Sequence, residues 1–290
     1  MSANPAITAM LDTYHCQSEQ EYANALREIM QNIALLAFSR TDFFSHAAFY
    51  GGTALRILHG LDRGSEDMDF TLLTANDTFD LGKYSTELET EFKSFGLHAM
   101  FVKKLKFNSD NIQSGFLKSN TQAQLLSIGM DEGMVRYFHP QSEIKIKVEV
   151  DVRPPGGGKT EIRPIYQPIP FSIRSCTLPT LLAGKLHAVL FRKWRTRVKG
   201  RDWYDLCWYA GKYPQYDLNH LEMRARQSGD YCEEQSLTAN MVQLLLIERL
   251  EKLDLEAMEA DVRPFLRNPK VIDSWNKEFF LDAFKKLKNI

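Results

Sequence analysis

Asp67 and Asp69 stand two residues apart in a stretch that reads as a strand, so both carboxylates project from one face. Carboxylates held side by side repel, and a bound divalent cation relieves that repulsion. Hard oxygen donors suit Mg2+, which takes few protein carboxylates and completes its shell with water and substrate phosphate. Two such ions ~4 Å apart can activate an attacking hydroxyl and stabilise a leaving pyrophosphate. Just upstream, Gly51 and Gly52 allow a tight turn and a close approach of backbone to ligand. Thr53 adds a hydroxyl where a helix N-terminus would expose free N–H groups, a favourable place for phosphate. Arg56 and Arg63 could add charge-assisted contacts to the same phosphates.

A third carboxylate has to come from a neighbouring strand. Residues 144–152 give the cleanest strand signal in the chain. Ile144, Ile146, Val148, Val150 and Val152 alternate with Lys145, Lys147, Glu149 and Asp151. Glu149 and Asp151 share the polar face, and either could reach a metal. A solvated face laced with ion pairs to Lys145 and Lys147 would explain the same pattern. Further on, Lys185, Arg192, Lys193, Arg195, Arg197, Lys199 and Arg201 form a basic run with no acid among them. Such a patch can hold phosphate on a chain whose net charge is only −1. Lys185 and Arg192 are seven apart, two helical turns, and so fall on one side of a helix.

Other chemistries find little support. His59 and His187 belong to no triad-like arrangement, no Gly-x-Ser-x-Gly elbow occurs, and both read as structural. The glycines at 156–158 are not followed by the Lys-Ser/Thr of a P-loop. Trp194, Trp203, Tyr204, Trp208 and Tyr209 fall at helical spacings and read as core or interface. Cys16, Cys176, Cys207 and Cys232 share no C-x-x-C spacing, which argues against a zinc knuckle and fits a reducing compartment. No apolar run approaches the ~20 residues that cross a bilayer, and no secretory signal opens the chain, so a cytoplasmic protein without a membrane partner is expected.

The elements that must position these groups change character along the chain. Its 290 residues can bury one large core or two ordinary ones. The pattern predicts a helix over 19–38, a strand over 47–50 leading through the glycines into a helix over 53–58, and a strand over 67–74. A helix over 83–95, strands over 98–105 and 170–174, and a break at Pro154 and Pro155 follow. From Thr177 the reading is helical throughout: 179–197, 202–209, 218–226, 238–253 and 274–287. An α/β domain over 1–175 followed by a helical domain over 176–290 is expected.

Gly51, Gly52, Thr53, Ala54 and Leu55, then Arg63 to Phe70 with Asp67 and Asp69 inside it, resemble the first motif of the AbiEii/AbiGii-type nucleotidyltransferase toxins. These belong to the DNA-polymerase-β-like superfamily, where many members carry Ser at the position of Thr53. The segment from Leu181 through Lys185 to Arg192, continuing to Arg201, Asp202, Tyr204, Asp205 and Leu206, is similar to the family's second conserved region. The resemblance covers residues 49–72 and 181–206 well and the strand at 144–152 tolerably. Beyond about residue 215 it extends only to a helical domain.

That resemblance implies a polymerase-β-like α+β domain with a mixed β-sheet and a C-terminal helical bundle contributing Lys185 and Asp202 to the cleft. It implies a transferase of the EC 2.7.7 type, with Asp67, Asp69 and Glu149 as ligands of two Mg2+ ions and Asp151 as second choice for the third ligand. Gly51, Gly52, Thr53, Arg63 and Lys185 would bind a nucleoside triphosphate (NTP), and Asp202 would orient a substrate or base. Asp205 could cap, pair with Arg201 at i,i+4, or face water. The implied setting is a type IV toxin–antitoxin or phage-defence system, an RNA acceptor such as tRNA, and a separately encoded antitoxin. A small-molecule, antibiotic-type nucleotidyltransferase and a catalytically silent binding protein of the same fold are the alternatives.

Overall fold

The alternating segment becomes the strand Glu143–Asp151, with Ile144, Ile146, Val148 and Val150 buried. In the computed structural model the described residues are 4–104, 111–128, 130, 132–136, 138–193 and 198–290. They divide into two compact units. The first comprises Met1–Leu58, Ser65–Pro154 and Ile162–Ser175; the second comprises His59–Gly64, Pro155–Glu161 and Cys176–Ile290. Two short segments before residue 175 thus pack with the helical unit, which a cut at a single position does not capture.

The sheet of the first unit has seven strands: β1 (Ala47–Tyr50), β2 (Met68–Leu72), β3 (Met100–Lys103), β4 (Ile112–Asn120), β5 (Glu143–Asp151), β6 (Thr160–Ile165) and β7 (Phe171–Cys176). Their spatial order is β3-β4-β5-β2-β1-β7-β6. The sheet is mixed: β2 runs parallel to β5 and antiparallel to β1, and β4 is antiparallel to both β3 and β5. Around it lie α1 (Pro5–Asp12), α2 (Glu19–Ser39), α3 (Phe43–His46), α4 (Gly51–His59), α5 (Ser85–Ser94), α6 (Thr121–Ser127) and α7 (Glu132–Val135).

Helix α2 starts where Ser18 accepts a hydrogen bond from the Glu21 amide, with Glu19 and Glu21 against the positive end of the dipole. Its Leu26, Ile29, Met30, Ile33 and Leu36 enter one buried cluster with the apolar side of β5. Aromatic rings fill the space beside β2. Phe38 stacks on Phe43 at 4.1 Å, and Phe43 meets Phe70 edge-on at 4.9 Å.

The second unit is built from α8 (Leu178–Phe191), α9 (Gly200–Lys212), α10 (Leu218–Gln227), α11 (Ala239–Glu251), α12 (Leu255–Val262) and α13 (Lys277–Lys286). Helix α9 is its centre, packing on α8, α12 and α13. Trp203, Leu206 and Tyr209 are fully buried there, and Trp203 meets Phe280 edge-on at 5.5 Å. Gly200 lets α12 approach, since a Cβ would strike the Met258 carbonyl.

Several expectations change. The helix expected over 179–197 ends at Phe191, and Arg192 is extended. Trp194, Arg195 and Arg197 lie outside the described residues, as does Leu105 at the end of the strand expected over 98–105. No sequence expectation corresponds to α1, α3, β4, β6, α6, α7 or α12, and the unit expected to be all helix also pairs Gln215–Tyr216 with Lys288–Asn289. Among the described residues no helix is long and apolar enough to cross a membrane.

Candidate active site

In the first unit, β1 delivers the chain to Gly51, where φ is +82° and α4 begins. A Cβ at this position would run into Asp69 Oδ2, so the carboxylate sits in a space only glycine leaves. Asp69 is held there by register, as β1 places Tyr50 opposite it. On its other side the parallel β2–β5 pair places Asp69 beside Glu149, with Asp151 one step on beside Thr71. Asp69 and Glu149 are therefore immediate neighbours on one sheet face, their strands ~4.8 Å apart. Asp67 precedes β2 by one residue.

Two side chains fix the loop that presents Asp67. Gln31, buried on α2, donates from its amide to the Ser65 and Glu66 carbonyls at 3.1 Å each. Thr53 is fully buried, donates to the Asp67 carbonyl, and lies 2.8 Å from Ser65 Oγ. The Thr53 hydroxyl, expected beside phosphate, faces inward and ties the aspartate loop to α4. Arg56 likewise pairs with Glu28 at 2.9 Å.

The donor chemistry of Asp67, Asp69 and Glu149 suits magnesium, and the space kept clear by Gly51 lies beside Asp69. Among the described residues, no three His, Cys, Asp or Glu side chains are gathered closely enough to hold a metal as they stand. One reason is visible at Glu149, whose Oε1 is taken by Lys147 Nζ at 2.8 Å.

The second unit gathers another group of predicted residues. Arg63 is buried and forks onto Asp205, Nε to Oδ1 and Nη2 to Oδ2, each at 2.6 Å. Lys185 Nζ lies 2.8 Å from both Asp202 Oδ1 and Asp205 Oδ2. Arg192 closes the chain on Asp202 Oδ2 at 2.6 Å. Burial opposes the charge on Lys185, but Asp202 and Asp205 outweigh it and its pKa is raised. Burial likewise opposes the Asp202 carboxylate, while Lys185 and Arg192 hold its pKa below the usual range.

These contacts engage three of the residues singled out in the sequence. Arg63 has no exposed face for a phosphate. Asp202 is enclosed between two cations and does not stand free to meet a base. Asp205 neither caps, faces water nor pairs with Arg201, whose guanidinium instead lies 4.1 Å over the Phe265 ring. Buried carboxylates need cationic partners, and the nearest to Asp205 are Arg63 and Lys185. The five groups carry three positive and two negative charges, and Arg192, with its side chain 45% exposed, brings the excess to the surface.

A family model described as "Nucleotidyl transferase AbiEii toxin, Type IV TA system" matches residues 33–283. Among curated proteins, none matches the sequence. Among solved structures the chain is similar to JHP933 from Helicobacter pylori, at 18% identity over 93% of this chain and 91% of that one, with a TM-score of 0.52. A second Helicobacter pylori structure, provisionally described as a nucleotidyltransferase, is 17% identical over 93% of this chain and 94% of its own, with a TM-score of 0.49.

Proposed function

This chain belongs to the AbiEii nucleotidyltransferase toxin family of type IV toxin–antitoxin systems, and on that premise we propose that it moves a nucleotidyl group from a magnesium-bound NTP to the terminal hydroxyl of an RNA, tRNA being the candidate acceptor. The observation that carries this reading is the β2–β5 register, which sets Asp69 beside Glu149 while Gly51 leaves room at the Asp69 carboxylate.

Asp67, Asp69 and Glu149 would hold the magnesium. Bound there, it would neutralise phosphate charge and favour in-line attack of the hydroxyl on the α-phosphorus. The chain's own contribution is positioning. The amides at Gly51 and Gly52, at the start of α4, point a positive dipole end at phosphate oxygens. Gln31 and Thr53 keep the Asp67 loop in place, which matters because small displacements of reacting groups are costly in rate.

In the second unit we assign Lys185 and Asp202 a positioning role. They fix the charge state of the buried network and hold Arg192 as its outward cation for an anionic substrate. The reaction would take place in the cytoplasm and be restrained by a separately encoded antitoxin. Blocking tRNA in this way would halt translation, the outcome a phage-defence system needs.

The test is incubation with total RNA, Mg2+ and each of the four α-labelled NTPs, wild type beside Asp69→Ala. Label should enter RNA with the wild type and not with the variant. Transfer that persists in Asp69→Ala, or that proceeds in excess chelator, overturns the assignment.

A further inference from the structure

The sheet face that carries Asp69 and Glu149 does not end at β5. Register continues it row by row to the sheet edge, all within the first unit. Beside the row of Asp69, Glu149 and Ser114 runs a second of Lys147, Phe116 and Val102. A third row holds Lys145, Lys118 and Met100. The opposite side of β4 is core, with Leu117 fully buried and Phe101 packed under Gly115. The outward side has a different character: three lysines, a partly exposed phenylalanine, and Met100 and Val102 exposed to 59% and 41%. Lys145 Nζ stands 4.1 Å over the Phe116 ring. Large apolar side chains left exposed beside lysines on a sheet face suit a ligand with flat apolar surfaces and a negative backbone.

We propose that this face of β3, β4 and β5 is the binding track for the single-stranded end of the nucleic-acid acceptor, with Phe116 stacking a base and Lys118 and Lys145 taking backbone phosphates. The inference rests on the transferase reading and adds to it where the acceptor lies. Charge complementarity argues for this occupant. Of the acceptor strand, only the uncharged terminal hydroxyl has to reach the carboxylate row, whereas the lysines stand one and two rows back, ~7 to 14 Å along the strands. A strand whose 3′ hydroxyl reaches the carboxylates thus meets its first cations where its last phosphates fall. The Lys145 contact with Phe116 is the weak kind made at exposed rings, so the ammonium can yield to a base and move to a phosphate.

The experiment is direct binding, by anisotropy, of a fluorescent ten-nucleotide single-stranded RNA to the full chain, with a blunt RNA duplex as comparison. Phe116→Ala should weaken single-strand binding roughly tenfold, the loss of one base–aromatic stack, and Phe116→Tyr should bind as wild type. Lys118→Gln/Lys145→Gln, both outside the core, should flatten the salt dependence by about 1.4 in log–log slope, ~0.7 for each phosphate no longer neutralised. Binding of Mg-NTP should be unchanged in all three. Equal single-strand affinity and salt slope in Phe116→Ala, the lysine pair and wild type overturn the track and leave the face to a protein or a second copy of the chain. Because binding is read without turnover, a wild type that binds RNA through these residues but transfers nothing sinks the transferase reading and not this one.

Discussion

Arg63 and Asp205 form a buried two-pronged ion pair between residues 142 apart in sequence, with both N–O distances 2.6 Å. Arg63 is 3% exposed and Asp205 is not exposed at all. Removing one partner would strand the other's charge away from water, while the fork geometry is specific to a guanidinium. Asp205→Ala is expected to lose about 3–5 kcal/mol in urea unfolding, and Arg63→Lys to recover only part of the loss seen in Arg63→Ala. A double Arg63→Met/Asp205→Leu change should be milder than either single truncation. Singles within ~1 kcal/mol of wild type would show that the pair does not hold the second unit together.

Neighbouring pairs of this kind explain what the sequence could and could not reveal. The strand at 143–151 is legible because Ile144 to Val150 alternate without a break, and the glycine turn and Asp67/Asp69 spacing are local signals. Strand β4 hides its nature in Ser114, Gly115 and Ser119. Its extended form is imposed by pairing on both sides, and Gly115 is required by the Phe101 ring beneath it. The contacts that local spacing does not reveal share one cause. Arg63 reads as a phosphate contact, and Asp205 as a cap, an Arg201 partner or a solvated charge, because their mutual pairing spans 142 residues of sequence. Gln31 looks like one polar residue on a helix because the carbonyls it serves lie 34 and 35 residues away. Sequence spacing reports faces of elements, not which element a face will meet.

Gly51 offers a test that separates strain from site geometry. Both Gly51 and Gly60 have positive φ, +82° and +72°, but a Cβ at Gly60 would meet nothing within 4 Å. Alanine at either position should cost about 1–2 kcal/mol for the left-handed backbone. Only Gly51→Ala should also displace the Asp69 carboxylate and lower the proposed nucleotidyl transfer by at least about tenfold beyond any loss of folded protein. Equal activity of the two variants, at equal folded concentration, would detach Gly51 from the site.

His187 makes stability depend on acid pH. Burial, with Arg224 adding to it, pushes its pKa down to about 4, although Asp230 lies 3.3 Å away and favours the charged form. A depressed histidine is neutral in the folded chain between about pH 4 and 6.5, where the unfolded chain already binds a proton. Its contribution is therefore complete above 6.5 and lost as pH falls toward 4, up to about 3 kcal/mol in total. His220, also lowered chiefly by burial, acts in the same direction. Urea midpoints of wild type and His187→Gln, followed from pH 7 to pH 4, should converge at the acid end. Parallel curves would place the acid sensitivity elsewhere.

Glu149 is paired with a lysine on its own strand. Its Oε1 is 2.8 Å from Lys147 Nζ, and the two side chains are 25% and 34% exposed, so the pair is partly screened and worth at most about 1 kcal/mol. On the proposed site, a magnesium ion drawing on Glu149 would have to displace that contact, and the ammonium two residues away would also repel the incoming cation. Lys147→Gln removes both effects and should tighten magnesium binding by roughly fivefold, the equivalent of about 1 kcal/mol. Glu149→Gln should abolish the gain, whereas Asp151→Asn, beside Thr71 and not Asp69, should leave it intact. Calorimetric titration of magnesium into the three variants reads this without any acceptor or turnover. If Lys147→Gln binds magnesium no better than wild type, or Asp151→Asn is the change that removes binding, Glu149 is not the third ligand.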